Sequence, residues 1–283
     1  MYKRQITNIA EAHLEFFKTL KGVARAKAEL VENLPGDGTA ILPADSEFFD
    51  YLKERSTAPV ISFGYVDTSD YRVSSVEVVQ GRCRFKVNGT QLEIPFPGRH
   101  NILNAAVAFV VGKLFKLSDG EIARGIKSAK QVKGRGEVME IGGITIIDDT
   151  YNSNPASLKA AVEMLMDMEV EGARWVVLGD MLELGEESKS LHQEAGVLCG
   201  KAGIDGLLTI GDETVELNRA AATQRKAPPV ISHFLDPVKL ARFLNEHIKP
   251  GDCVLVKGSR GMKMEVVIEE LKSLRSDQRE KVE

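Results

Sequence analysis

Cysteine, tryptophan and an excess of either charge are all scarce in this sequence. Its 283 residues hold 3 cysteines and 1 tryptophan. Cys83, Cys199 and Cys253 are odd in number, far apart and form no CxxC pair. That excludes a disulfide scaffold and a cysteine zinc site, and it fits a reducing compartment. The 37 Lys and Arg stand against 41 Asp and Glu, a net charge of −4, so bulk electrostatics give no pull toward nucleic acid or an anionic membrane. No run approaches the ~18 apolar residues of a membrane span. The longest, AAVAFVVG from Ala105 to Gly112, is short enough for a buried helix. No apolar stretch behind MYKRQ makes a signal peptide. Two nucleotide-binding signatures are missing as well. Met139 stands where a third glycine would complete GxGxxG after Gly134 and Gly136, and Gly112-Lys113 runs into Leu114 rather than completing GxxxxGK[ST]. What remains is ordinary globular composition, 43% hydrophobic and 28% charged. At ~150 residues per domain it is expected to form about two domains of a soluble, cytoplasmic protein, and a monomer is the expected oligomeric state.

The first half reads as mixed. ITNIAEAH starts apolar and breaks at Asn8, and one long helix is expected through EAHLEFFKTLKGVARAKAELVENL, ending at PGDG. TAILPAD reads as a strand, and SEFFDYLKERS as a helix capped by Ser46. From Pro59 to Phe96 the pattern turns to β, and Asn88-Gly89 behind the alternation Arg82 to Val87 predicts a hairpin. Two helices follow, Asn101 to Lys116 and SDGEIARGIKSA, and Gly134 and Gly136 in KGRGE mark the expected domain boundary. Beyond it, strand and helix alternate: ITIIDD, RWVVLGDM, GLLTIG, VISHF and DCVLVKG are short apolar strands, each followed by an amphipathic helix. That is the pattern of a parallel sheet covered on both faces.

Ligands of such sheets bind beyond the carboxyl ends of the strands, so the polar residues there are the candidates. The first strand delivers Asp148 and Asp149 into DDTYNSNP. Two adjacent carboxylates at a strand end suit ribose hydroxyls or a metal-bound water, while Asp149, Ser153 or Asn154 serves equally as a helix cap. VKGSRGMK sets Lys257, Ser259, Arg260 and Lys263 around a glycine-rich turn, fit for a carboxylate or phosphate and also readable as an ordinary loop. His192, one turn from Ser188, reads more readily as a surface or capping residue than as a catalyst. His13, flanked by Glu11 and Glu15, has no fixed-spacing partner for a metal site. Asn101 and Asn104 share a helix face, where two amides can read a nucleobase edge or simply cap and decorate the helix. Arg135 in GRGE is placed to reach a phosphate.

Taken in order, ITNIAEAHLEFF, GVARAKAEL, FPGRHNILNAAVA, GRGEVME, IIDDTYNSNP, VVLGDMLELGEES and LVKGSRGMKME resemble the Mur ligases. The blocks cover nearly the whole chain from Ile6 onward. DDTYNSNP with GDMLELG and VKGSRG is similar to the branch that adds D-Ala-D-Ala to UDP-MurNAc-tripeptide in peptidoglycan synthesis. The ligases adding diaminopimelate or lysine carry a DYAH-type first block instead. The resemblance implies an α/β chain: a truncated central ATPase domain over residues 1–137, a complete Rossmann-like ligase domain over 138–275, and a frayed tail over 276–283. It implies ATP and Mg2+ as cofactors, with a peptide carboxylate phosphorylated by ATP and the amine of D-Ala-D-Ala attacking the acyl phosphate. By motif position His13 would bind magnesium and Lys27 would carry a carbamate bridging metal and phosphate, the two implied catalytic residues. An uncharged lysine amine forms such a carbamate, and the resulting anion suits a hard cation. Asn101 and Asn104 would border the adenine, and Arg135 and Asp149 the phosphates and ribose. Tyr151, Asn152, Lys257, Ser259 and Arg260 would line the substrate side.

The family also carries a UDP-sugar-binding domain and a GxxGK[ST] phosphate loop that these 283 residues do not contain. MYKRQ does not resemble the strand that leads into ITNI in the family. The resemblance therefore implies a C-terminal fragment with a foreign start, inactive in ligation by itself. Two other readings are a folylpolyglutamate-type amide ligase, against which DDTYNSNP argues, and a non-catalytic nucleotide- or peptide-binding module.

Overall fold

The computed structural model describes residues 3–79 and 81–280; Met1 and Tyr2 of the expected foreign start and residues 281–283 of the expected frayed tail lie outside them. Two compact units divide the chain, Met1–Lys130 and Gln131–Glu283.

The first unit runs β1 (Lys3–Gln5), α1 (Leu14–Phe17), α2 (Leu20–Glu32), β2 (Thr39–Pro43), α3 (Phe49–Arg55), β3 (Val60–Gly64), β4 (Tyr71–Val79), β5 (Arg82–Val87), β6 (Thr90–Ile94), α4 (His100–Leu114) and α5 (Asp119–Lys127). Its sheet follows chain order from β1 to β6. Pairing is parallel from β1 to β4 and antiparallel from β4 to β6. The expected hairpin is present: Asn88 and Gly89 both take positive φ, 46° and 86°, between β5 and β6, the backbone that a tight turn matching strand twist requires. Within MYKRQ, Lys3–Gln5 forms a strand after all, pairing in parallel with Thr39–Ile41. The single long helix is corrected. Lys18 takes φ 65°, and the Thr19 hydroxyl then accepts from the Gly22 amide to start α2 afresh, a local cap that outcompetes continuation of the helix. Ser46 does not cap α3; it accepts from the Phe48 amide in a turn one step ahead of the helix. α5 opens on the reciprocal capping box of Ser118 and Glu121.

The second unit runs β7 (Glu137–Ile141), β8 (Ile144–Asp149), α6 (Pro155–Asp167), β9 (Arg174–Gly179), α7 (Ser188–Ala202), β10 (Gly206–Ile210), α8 (Thr214–Ala222), β11 (Val230–Phe234), α9 (Pro237–His247), β12 (Cys253–Lys257) and α10 (Glu265–Glu280). The strand order is β11-β10-β9-β12-β8-β7, and every pairing is parallel except β7 with β8. The antiparallel edge strand β7 was absent from the expected pattern. It folds back through Gly142 and Gly143, both at positive φ. α10 takes in residues 276–280 of the charged tail. No helix among the described residues is long and apolar enough to cross a membrane.

Two features of this unit position the residues discussed below. β12 lies between β9 and β8, so the carboxyl ends of three strands stand side by side, with Lys257 in register with both Asp149 and Leu178. α7 packs tightly on α8, because a Cβ on Gly196 would stand 2.1 Å from the Leu217 carbonyl oxygen. The strands are held by a core that includes Ile144, Val177, Leu208, Val254 and Val256, each fully buried side chain contributing ~1.5–3 kcal/mol.

Candidate functional site

At the end of β8, one polar residue is spent on the helix and one on the turn. Asn154 caps α6: its side chain accepts from the Ser157 amide at 2.8 Å while Ser157 accepts from the Asn154 amide at 3.0 Å. Asp148 is buried and turns inward, accepting from the Thr150 amide at 3.1 Å and hydroxyl at 2.6 Å. The cap is therefore Asn154, and the caps left open at Asp149 and Ser153 are not used.

Asp149 instead meets β12. Lys257 Nζ donates to Asp149 Oδ2 at 2.6 Å and to the Asn152 carbonyl at 2.7 Å. The lysine side chain is 1% exposed and the aspartate 19%. Burial pushes the Lys257 amine below its ordinary range, and the Asp149 carboxylate pulls it back up. Lys257 thus ties the ends of β8 and β12 from inside. Ser259 is buried as well and stitches loops: its amide donates to the Asp180 carbonyl at 3.1 Å and its hydroxyl accepts from the Leu182 amide at 2.8 Å. Asn152 accepts from the Ser153 amide with its own side chain.

The exposed members of the set are Tyr151, Asn152, Arg135 and Arg260. The Arg135 guanidinium lies 4.1 Å from the Tyr151 ring centre, a cation–π contact that steadies a long side chain. The Tyr151 amide donates to the Gly134 carbonyl at 2.9 Å, joining the GRGE loop to the β8 end. Arg260 pairs with Glu265 at 2.9 Å.

The end of β9 supplies residues that sequence reasoning missed. Asp180 accepts from the Thr214 amide at 2.9 Å. Gly211 at φ 117° makes room for it, since a Cβ there would lie 2.4 Å from the carboxylate. His192 is corrected: it is fully buried rather than a surface or capping residue. Its ring accepts from the Met181 amide at 3.0 Å and lies 2.8 Å from the Ser188 carbonyl. The spacing of Ser188 and His192 carried the signal, but helix spacing does not report which face is buried.

In the first unit, His13 takes a left-handed φ of 56° at the start of α1, a strained conformation for a non-glycine residue. Lys27 donates to the Asn8 carbonyl at 2.8 Å, and burial pushes its amine below the ordinary lysine range. Asn101 donates to the Pro97 carbonyl at 3.2 Å, and Asn104 to the Asn101 side-chain oxygen at 3.4 Å. The two amides line a cavity of about 300 Å³ whose walls include Ile94, Phe96 and Ile126. Apolar walls with two convergent amides fit a purine, which stacks on its faces and hydrogen-bonds at its edge. Among the described residues no three His, Cys, Asp or Glu side chains converge on a metal position, so these side chains alone make no closed magnesium site. The three cysteines are buried, and none is in a disulfide.

The sequence carries two family matches, to the Mur ligase middle domain over residues 5–112 and to the Mur ligase glutamate ligase domain over residues 134–260. It is 31% identical over 269 residues to the UDP-N-acetylmuramoyl-tripeptide–D-alanyl-D-alanine ligase of Bacillus subtilis, covering 94% of this chain and 58% of that protein. Against the ligase of the same name from Escherichia coli the identity is 34% over 277 residues, covering 94% of this chain and 59% of that protein. The structure is similar to the MurF ligase from Thermotoga maritima in complex with ADP, with a TM-score of 0.85, 25% identity, and coverage of 98% of this chain and 62% of that one. The chain spans about three fifths of the length of the curated relatives it matches.

Proposed function

The chain belongs to the Mur ligase family, and from that premise we propose that it serves the ATP-dependent joining of D-Ala-D-Ala to UDP-MurNAc-tripeptide in the cytoplasm. One observation carries the proposal. DDTYNSNP, GDMLELG and VKGSRG, the segments that set this branch apart, come together at the adjacent ends of β8, β9 and β12. The relatives bearing the ligase name match across both units of the chain, and the absence of a disulfide among the three cysteines accords with a reducing compartment.

In the ligation, ATP supplies a phosphoryl group to the tripeptide carboxylate, and the dipeptide amine displaces phosphate to leave an amide. The residues of this chain bind and orient. Asn101 and Asn104 present donor and acceptor groups to the adenine edge above an apolar floor. Arg135, held over the Tyr151 ring, and Asp149 are the phosphate and ribose candidates. Tyr151, Asn152 and Arg260 face substrate, while Lys257 and Ser259 fix the loops that carry them. Lys27 and His13 are the magnesium-side candidates. The depressed Lys27 amine holds a larger uncharged fraction at neutral pH than an ordinary lysine, which is the form that takes up carbon dioxide.

The 283 residues contain no GxxxxGK[ST] phosphate cradle, so a polypeptide of this length is expected to bind dipeptide and nucleotide without joining peptide to dipeptide. Calorimetric titration of ADP and of D-Ala-D-Ala, beside phosphate release with ATP, UDP-MurNAc-tripeptide and D-Ala-D-Ala, tests both statements. Absence of binding to either ligand overturns the proposed function, and substantial phosphate release coupled to product overturns the expectation of inactivity.

A further inference from the structure

His192 is fully buried on α7 and belongs to none of the proposed binding groups, yet both ring nitrogens are engaged. A backbone amide only donates, so the Nε2 atom facing Met181 must carry a lone pair. A carbonyl only accepts, so the Nδ1 atom facing Ser188 must carry the hydrogen. The geometry therefore fixes one neutral tautomer, and its acceptor holds the first amide beyond Asp180 at 3.0 Å. The next amide, that of Leu182, is held at 2.8 Å by the Ser259 hydroxyl. Two consecutive amides of the β9 loop are thus clamped by side chains from two other elements. What the clamped segment presents is Leu182, 41% exposed. Its Cδ1 would lie 2.8 Å from a Cβ built on Gly261, which places it against the turn that carries Arg260, whose guanidinium pairs with Glu265 at 2.9 Å. At the next residue, Glu183, the backbone takes φ 63°. An exposed leucine packed on the turn that carries an exposed arginine suits a small peptide with methyl side chains and a terminal carboxylate.

Resting on the function proposed above, we infer that His192 is a positioning residue for the dipeptide. Through the Met181 amide it holds the β9 loop so that Leu182 meets the methyl groups of D-Ala-D-Ala while Arg260 meets its carboxylate. The device relies on the acceptor on His192 rather than on its bulk.

The test compares the 283-residue protein with three variants, His192→Phe, His192→Gln and Leu182→Ser, by amide hydrogen exchange over 178–184, calorimetric binding of D-Ala-D-Ala, and thermal melting. His192→Phe keeps ring volume and loses the acceptor, so exchange at Met181 should accelerate by roughly tenfold or more as the loop opens locally, with a loss of dipeptide affinity of about tenfold. His192→Gln returns an acceptor and should recover most of both. Leu182→Ser should weaken dipeptide binding with exchange at Met181 unchanged, and it keeps the inference testable should His192→Phe fail to fold. Unchanged Met181 exchange in a folded His192→Phe protein, or wild-type dipeptide affinity in Leu182→Ser, overturns the inference while the proposed function stands. Absence of dipeptide binding by the unsubstituted protein overturns the function itself, and the dipeptide role of His192 with it.

Discussion

Replacing Lys257 by Met removes the cation that joins Asp149 to the Asn152 carbonyl and keeps a straight apolar side chain of similar length. Breaking a fully buried ion pair by deleting one partner costs ~3–5 kcal/mol, because a charge is left uncompensated. Here the stranded partner is 19% exposed and the deleted lysine 1%, so water recovers part of the loss for Asp149. The Asn152 carbonyl loses a charged donor, a further ~1–3 kcal/mol when the acceptor is left unsatisfied. The two effects, discounted for the exposure of Asp149, give an expected destabilisation of about 3 kcal/mol. For a unit of this size the melting temperature should then fall by roughly 6–12 °C. Asp149→Asn strands the other side: a lysine buried in the protein keeps its desolvation and loses the carboxylate that opposed it. The double variant should cost clearly less than the sum of the singles, because neither charge then remains to be stranded. The pH dependence has a definite sign. The folded-state Lys257 amine lies below 10.5, so between that depressed value and 10.5 the unfolded chain binds more protons. Stability from this group rises with pH across that window, and the window widens in Asp149→Asn. Differential scanning calorimetry over pH on the four proteins measures all of this. Strict additivity of the double variant, or single variants within ~0.5 kcal/mol of the parent, would refute the tie as described.

Three other outcomes follow from the same geometry. Asn154→Ala removes the α6 cap, which accepts from the Ser157 amide, and should cost about 1 kcal/mol in urea unfolding with dipeptide binding little changed, whereas Asn154→Asp should cost far less. Asn104→Leu at the cavity of about 300 Å³ should weaken ADP binding by roughly tenfold or more without lowering the melting temperature, as a lost edge contact in a largely apolar pocket predicts; equal ADP affinity would remove Asn104 from the nucleotide site. Burial pushes the Cys199 and Cys253 thiols up to about 12, so neither should react with a disulfide reagent at pH 8 until the second unit unfolds, and rapid labelling of native protein would contradict that.

How much of this was readable beforehand depended on whether a residue acts through its backbone or through its direction. Asn88-Gly89 announced its hairpin because positive φ at both positions is a property of those residue types. The strand and helix alternation after Gly143 was equally plain, since short apolar runs between amphipathic segments leave few arrangements. β7 escaped because Glu137–Ile141 is five residues long and mostly half-buried, too weak a pattern to separate from loop. α1 and α2 read as one helix because the break lies in the conformation of Lys18 and the cap of Thr19, neither of which disturbs the apolar spacing. The chemistry at the strand ends was legible as residue types at a place, but not as inward or outward. Lys257 and Ser259 look like surface donors in VKGSRG, yet both are buried, Lys257 at the end of β12 and Ser259 in the loop beyond it. His192 is hidden for the same reason, being recognisable only once α7 has been laid against the end of β9.

The central place of β12 between β9 and β8 also sets an order of events in time. β9, β10 and β11 pair with neighbours made within the same stretch of chain, and β7 and β8 form their own hairpin. The two halves have no shared strand until residues 253–257 are available, and Lys257 reaches Asp149 across a separation of 108 residues. On the ribosome, at ~5–20 residues per second, the nascent second unit waits several seconds as two partial sheets, each with an open edge. The last strand made is the one that closes the sheet, and its arrival unites the ends of β8, β9 and β12. Folding of this unit should therefore carry the slow, late step expected where a long-range pairing must form before the core can seal.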